Sequence, residues 1–231
     1  MSYRRKRITA GAGALIGVAL MSTANAQVFY VYQGTDPTPK GTISAYTGAA
    51  TGAGNYNYSS SSENLLNGPT LSVGAAHLFM YAGSDGLHFN VVFSRRGGGA
   101  NGDGSADWGI SLTGNGVTAS AQVEDDNNEL GGGPTSFTGG WDWNNANSDG
   151  GVIGPLSGPL WSLTVTPMTT TKGYSGGIAA YSSDGSSLPL AYGTGSDYAI
   201  TITPVPEPGE YVAIVAAGLL GLASWRRWRR T

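Results

Sequence analysis

The chain has 231 residues, no cysteine, 38 glycines and a formal net charge of −3. The missing thiols exclude disulfides, thiolate metal centres and cysteine nucleophiles, and a glycine share more than twice the average disfavours a helical protein. Eight of the basic residues lie near the two ends, leaving only Lys40, Arg95, Arg96 and Lys172 against thirteen acids in residues 27–204, a net charge of −9. That field makes nucleic acid and anionic membrane surfaces poor partners for this part of the chain.

The N terminus reads as an export signal. Arg4-Arg5-Lys6-Arg7 is a positive n-region, Ile8 to Met21 is an uncharged, mostly apolar stretch of 14 residues, and Ala24-Asn25-Ala26 places small residues where a signal peptidase reads them. Charge, apolar run and A-x-A in that order define a signal peptide, whose apolar part is too short to span a bilayer. Cleavage is expected after Ala26, so residues 1–26 are the signal and the mature chain starts at Gln27.

Residues 27–204 are long enough for one domain with a sizeable core. Tyr46 to Asn67 is polar and low in complexity and is expected to be a mobile loop. From Leu87 the pattern turns strictly alternating. Leu87, Phe89, Val91 and Phe93 share one face, with His88, Asn90 and Ser94 on the other. Val117, Ala119, Ala121 and Val123 repeat the period, as do Trp161, Leu163 and Val165, and Tyr198, Ile200 and Ile202. Period two means half-buried strands. Ser84-Asp85-Gly86 is expected to join 77–82 to 87–94 as a hairpin, and Gly114-Asn115-Gly116 to join 108–112 to 117–123, since glycine supplies the positive φ such turns need. No stretch carries a 3.6-residue stripe. The fold expected is all-β, a two-sheet antiparallel sandwich resembling a jelly roll.

Candidate chemistry in this domain is sparse. Asn101, Asp103 and Asp107 place oxygens at alternating positions, as in turns that hold calcium loosely, although Asx turns explain the same residues without a metal. Asn145 to Gly150 begins like an EF-hand loop but has Leu156 where a bidentate Glu is required. No other cofactor is expected. Trp141 and Trp143, on one strand face with Asp142 opposite, are candidates for stacking on sugar rings. Gly173-Tyr174-Ser175-Gly176-Gly177 matches G-x-S-x-G, but both histidines, His77 and His88, precede Ser175, which is the wrong order for an α/β-hydrolase. Ala75-Ala76-His77 followed by Ser175-Gly176-Gly177 resembles the two motifs of trypsin-like hydrolases, with Tyr174 standing where that family carries an acid. A serine hydrolase using His77 and Ser175 is therefore the alternative to a non-enzymatic domain.

The C terminus carries three parts in order. Val205-Pro206-Glu207-Pro208 comes first, and its prolines remove two donors and hold Glu207 in an extended segment. Tyr211 to Trp225 follows, 15 residues without a charge. As a helix it rises about 22 Å against a hydrocarbon core of about 30 Å. Arg226, Arg227, Arg229 and Arg230 then hold the cytoplasmic end, with Tyr211, Trp225 and Trp228 at interfacial depths. A single membrane helix with the domain outside is expected. These three parts together resemble the PEP-CTERM sorting signal of Gram-negative bacteria that make exopolysaccharide. The resemblance covers residues 205–231 and implies recognition and cutting by an exosortase after export by the secretion machinery. It further implies a cell-surface or extracellular-matrix protein associated with biofilm polysaccharide.

Overall fold

A computed structural model describes residues 27–58, 64–95, 103–124, 129–144, 147–158, 160–171, 174–206 and 225. Ala24, Ala26, Asn101, Glu207, Pro208 and the four C-terminal arginines lie outside the described residues, and so does the run from Tyr211 to Trp225 apart from Trp225 itself.

Fourteen strands and almost no helix make up these residues: β1 (Val28–Gln33), β2 (Gly41–Ser44), β3 (Tyr46–Thr47), β4 (Ala76–Gly83), β5 (Gly86–Phe93), β6 (Gly104–Gly114), β7 (Ser120–Glu124), β8 (Leu130–Gly132), β9 (Ser136–Trp143), β10 (Asp149–Leu156), β11 (Trp161–Thr171), β12 (Ile178–Tyr181), β13 (Ser187–Leu190) and β14 (Ile200–Pro204). A five-residue helix α1 (Gly52–Tyr56) and a 3-10 turn at Ser196–Tyr198 complete the set. The strands form two sheets. The first runs β2-β1-β14-β11-β6-β9-β8 and is antiparallel throughout. The second runs β13-β12-β4-β5-β10-β7, with β3 also on β4; the β12–β4 and β3–β4 pairs are parallel and the rest antiparallel. Pro155 in β10 and Pro167 in β11 cannot donate to a ladder, and the pairing register shifts beside each.

The apolar half of each alternating run fills one core shared by the sheets. Phe29 and Val31 of β1, Leu163 and Val165 of β11 and Ile202 of β14 meet Leu78, Met80, Phe89 and Phe93 from the second sheet. Phe93 sits at the centre of this contact, 4.8 Å from the Trp108 ring of β6 and 4.8 Å from the Trp143 ring of β9.

Three expectations need correction. The β4–β5 hairpin forms as expected, with Gly83 opposite Gly86 and φ +127° at Gly86. The Gly114-Asn115-Gly116 turn does not close a hairpin. Both edges of β6 are already taken by β9 and β11, so the chain crosses to the second sheet, where β7 pairs with β10. Second, the β5 stretch is not half-buried. His88, Asn90 and Ser94, the polar side of the alternation, are as fully buried as the apolar side. The cover is the third correction: residues 46–58 and 64–67, expected as a mobile loop, pack together with 68–74 over the outer face of the second sheet and contribute β3 and α1. Tyr56, Leu65 and Leu71 meet Phe79, Tyr81, Val92 and Val152 there in a second, smaller core. The cover is fastened by backbone and side-chain bonds. Asn55 Nδ2 donates to Asn67 O and Asn55 Oδ1 accepts from Asn67 N–H, both at 2.9 Å; Tyr81 Oη donates to Ala50 O at 3.0 Å; Gly52 N–H donates to Asp85 Oδ1 at 3.0 Å. Asp85 also accepts from His88 Nε2 at 2.9 Å. Burial works to raise the Asp85 carboxyl, but its bonds to His88 and Gly52 outweigh it and hold the group below the ordinary carboxylate range.

Candidate functional site

The sugar-stacking reading of Trp141 and Trp143 does not survive the geometry. Both side chains point inward and are 1% and 3% exposed, so neither ring offers a face to a ligand. Glycines make their room: a Cβ on Gly139 would lie 2.0 Å from the Trp141 ring and one on Gly104 would lie 2.4 Å from the Trp143 ring. Trp143 stacks on Tyr174, whose hydroxyl accepts from Trp108 Nε1 at 2.9 Å. Burial raises the Tyr174 phenol well above its usual range, so this hydroxyl stays neutral.

His77 and Ser175 are not assembled as base and nucleophile. His77 is fully buried on the outer face of β4, stacked on Tyr181 at 5.1 Å. Its Nε2 lies 2.9 Å from the Ser72 N–H and accepts from it, so Nδ1 carries the proton and donates to Val92 O at 3.1 Å. Neither nitrogen is left for a serine. Burial pushes the imidazole pKa down to about 4 from 6.5, with the Val92 bond opposing. Ser175 is exposed in a turn closed by Gly177 N–H donating to Tyr174 O at 2.8 Å. Asp103 and Asp107 stand four residues apart along an extended stretch, which sets their Cα atoms about 13 Å apart. Among the described residues, no group of three or more His, Asp or Glu converges where it could hold a metal.

What the structure does assemble lies on the outer face of the first sheet. The triplets Thr42-Ile43-Ser44, Ser111-Leu112-Thr113, Ser136-Phe137-Thr138, Thr164-Val165-Thr166 and Thr201-Ile202-Thr203 each bury the middle residue and turn two hydroxyls outward. Pairing register aligns them. Tyr32, Thr201, Thr164, Ser111 and Ser136 form one rank across β1, β14, β11, β6 and β9. Thr164 Oγ1 and Thr201 Oγ1 are 3.0 Å apart and share a hydrogen bond. The next rank is Thr166, Gly109, Thr138 and Gly131. Beyond it the face sinks into an open groove of about 310 Å³ between Asp107, Glu129, Thr138, Gly140, Met168 and Thr169. Thr169 Oγ1 donates to Asp107 Oδ2. Gly140 forms part of the floor, where a Cβ would come 2.9 Å from Asp107 Oδ1.

No protein-family model matches this chain, and neither a curated protein nor a solved structure does.

The chemistry this face offers is hydrogen bonding by neutral hydroxyls, with two carboxylates and the 55% exposed Met168 thioether at one end. Tyr30 and Tyr32, with ring centroids 6.3 Å apart, stand on β1 at the other. Sequence reasoning used the alternation of these strands for their apolar half alone. The recurring Ser/Thr–apolar–Ser/Thr triplet was the signal for the polar half.

Proposed function

We propose that this chain is an exported, non-enzymatic protein. In this reading the folded unit is a β-sandwich of jelly-roll type. It is delivered through the cell envelope, cut at its Pro-Glu-Pro tail by an exosortase, and held at the cell surface or in an exopolysaccharide matrix. The observation that carries it is the order of Pro206-Glu207-Pro208, apolar run and arginine cluster at one end with a signal peptide at the other.

The way the fold closes supports the reading. β1 starts at Val28 and β14 ends at Pro204, and the two strands pair antiparallel with Phe29 opposite Pro204. The last bond of this ladder is Val205 N–H to Val28 O, 2.9 Å. Pro206 follows and has no N–H to continue it. The described sheets thus begin and end beside the two proposed signals, and a cut beyond Pro206 removes no strand of these sheets. The competing hydrolase would need a His77 nitrogen that the Ser72 and Val92 backbone already holds.

Intact mass of the protein from its native host tests both processing events at once. The expected species begins at Gln27 and has lost the apolar run and arginines. A species that keeps Met1 and Thr231 overturns the reading.

A further inference from the structure

The outer face of the first sheet is unusual in what it lacks as much as in what it presents. Its central rank holds five hydroxyl side chains on five adjacent strands and neither rank contains a charged residue. At about 4.8 Å per strand the five-strand rank is about 19 Å long. Hydroxyls are both donors and acceptors, so a partner matched to this array must itself present many neutral groups of both kinds. Acidic polymers find no lysine or arginine in either rank and meet a domain whose sequence carries −9. A rigid planar partner also fits poorly, because neighbouring strands turn by roughly 20° each and the array twists along its length. A flexible neutral chain of linked sugars meets all of these conditions.

The groove supplies what the ranks lack. The carboxylates of Asp107 and Glu129 accept strong, charge-assisted bonds from sugar hydroxyls. Thr138 on the floor can donate and accept, and the exposed Met168 offers an apolar, adaptable surface for the C–H face of a ring. Gly140 keeps the floor low, so a ring can approach the backbone.

We infer that this face docks a neutral polysaccharide, with the Asp107–Glu129–Thr138–Met168 groove as the anchoring subsite and the hydroxyl ranks as the track along which the chain lies. The inference deepens the matrix reading and rests on it for the polysaccharide being present. Its chemistry can be tested independently of export and processing.

The experiment is affinity electrophoresis of the exported protein through native gels cast with a neutral α-glucan, a neutral β-glucan, a galactomannan, or alginate as the acidic polymer. Retardation by at least one neutral polymer and none by alginate is expected. Asp107→Ala combined with Thr138→Ala should weaken that retardation by about tenfold or more, since a charge-assisted bond and a second polar contact are lost. Ser111→Glu with Thr164→Glu, which leaves the groove intact, should weaken it too by replacing two donor–acceptor hydroxyls with bulkier carboxylates that only accept. Asp184→Ala, at the distant β12–β13 turn, should not. Circular dichroism and a thermal melt confirm that each variant is folded, and Thr138→Ala alone serves if the double variant is not. The inference is overturned if no neutral polymer retards the protein, if alginate alone does, or if the groove variant migrates like wild type. Failure here with both ends trimmed in the intact mass leaves the sorting proposal standing.

Discussion

His77 shows how a strand position decides the chemistry of a side chain. On an open sheet face it would titrate near 6.5; beneath Tyr181 and the cover over the second sheet, burial brings its pKa to about 4. Because the folded-state pKa lies below the unfolded one, the unfolded chain takes up a proton that the native state refuses. Stability present above pH 6.5 should therefore decline as pH falls towards 4, by up to about 3 kcal/mol from this group. Urea midpoints measured from pH 7.5 to 4.5 test this. His77→Gln should be less stable at neutral pH but lose less on acidification; parallel profiles for the two proteins would show that His77 does not carry the effect. Trp141 illustrates the same dependence for an aromatic. Two residues before it on the same face stands Gly139, and the indole lies back over that glycine. The Gly-Gly-Trp-Asp-Trp stretch that suggested an exposed platform is how two large rings fit between two sheets.

At the scale of elements, the cover over β4, β5 and β10 has little regular structure and is fastened by side chains. Its helix is too short to be stable alone. Thr51 Oγ1 caps it by accepting from Gly54 N–H at 3.0 Å, and Asn57 in the left-handed region (φ +49°) ends it. The Asn55 amide, fully buried, replaces a missing strand partner by bonding both backbone groups of Asn67. Asn55→Ala removes both bonds and leaves the Asn67 groups unpaired, so it should cost about 1–3 kcal/mol. Hydrogen exchange should then quicken at the amides of Leu66 and Asn67 while those of the β4–β5 hairpin keep their protection. Uniform quickening across both would mean the cover and the sheet unfold as one unit. The polar stretch expected as a loop lacked any periodic signal because its order comes from such single side chains, not from a repeating pattern.

For the whole molecule, the β1–β14 pairing leaves the proposed sorting residues outside the described sheets. Glu207 follows Pro206, beyond the last ladder bond at Val205, so Glu207→Ala should change the stability of the soluble domain by no more than about 0.5 kcal/mol. In a host with an exosortase the same variant should stay uncut and membrane-bound. Replacing Arg226, Arg227, Arg229 and Arg230 should fail differently: the 15-residue run is too short to hold without its positive stop, and unprocessed protein should slip through. A tagged domain followed by fractionation and blotting separates these outcomes. A Glu207 variant shortened and released like wild type would sink the sorting role of the motif.

By itself the sequence determined what local chemistry controls. Alternation over 87–93 and 161–165, glycine at Gly86 and the absence of any helical stripe were sufficient for an all-β fold and for the β4–β5 hairpin, because period and turn geometry act within a few residues. The tertiary structure decided everything that depends on who occupies a neighbouring edge or face. Alternation says that a strand has two sides but not whether the second is wet. His88 and Asn90 are covered, whereas Thr164 and Thr201, at equivalent polar positions, line an open face. A Gly-Asn-Gly turn permits a hairpin but cannot make one when β9 and β11 already saturate both edges of β6. Ladder hydrogen bonds and burial are made with partners distant in sequence, and their choice is settled only by the packing of all strands together.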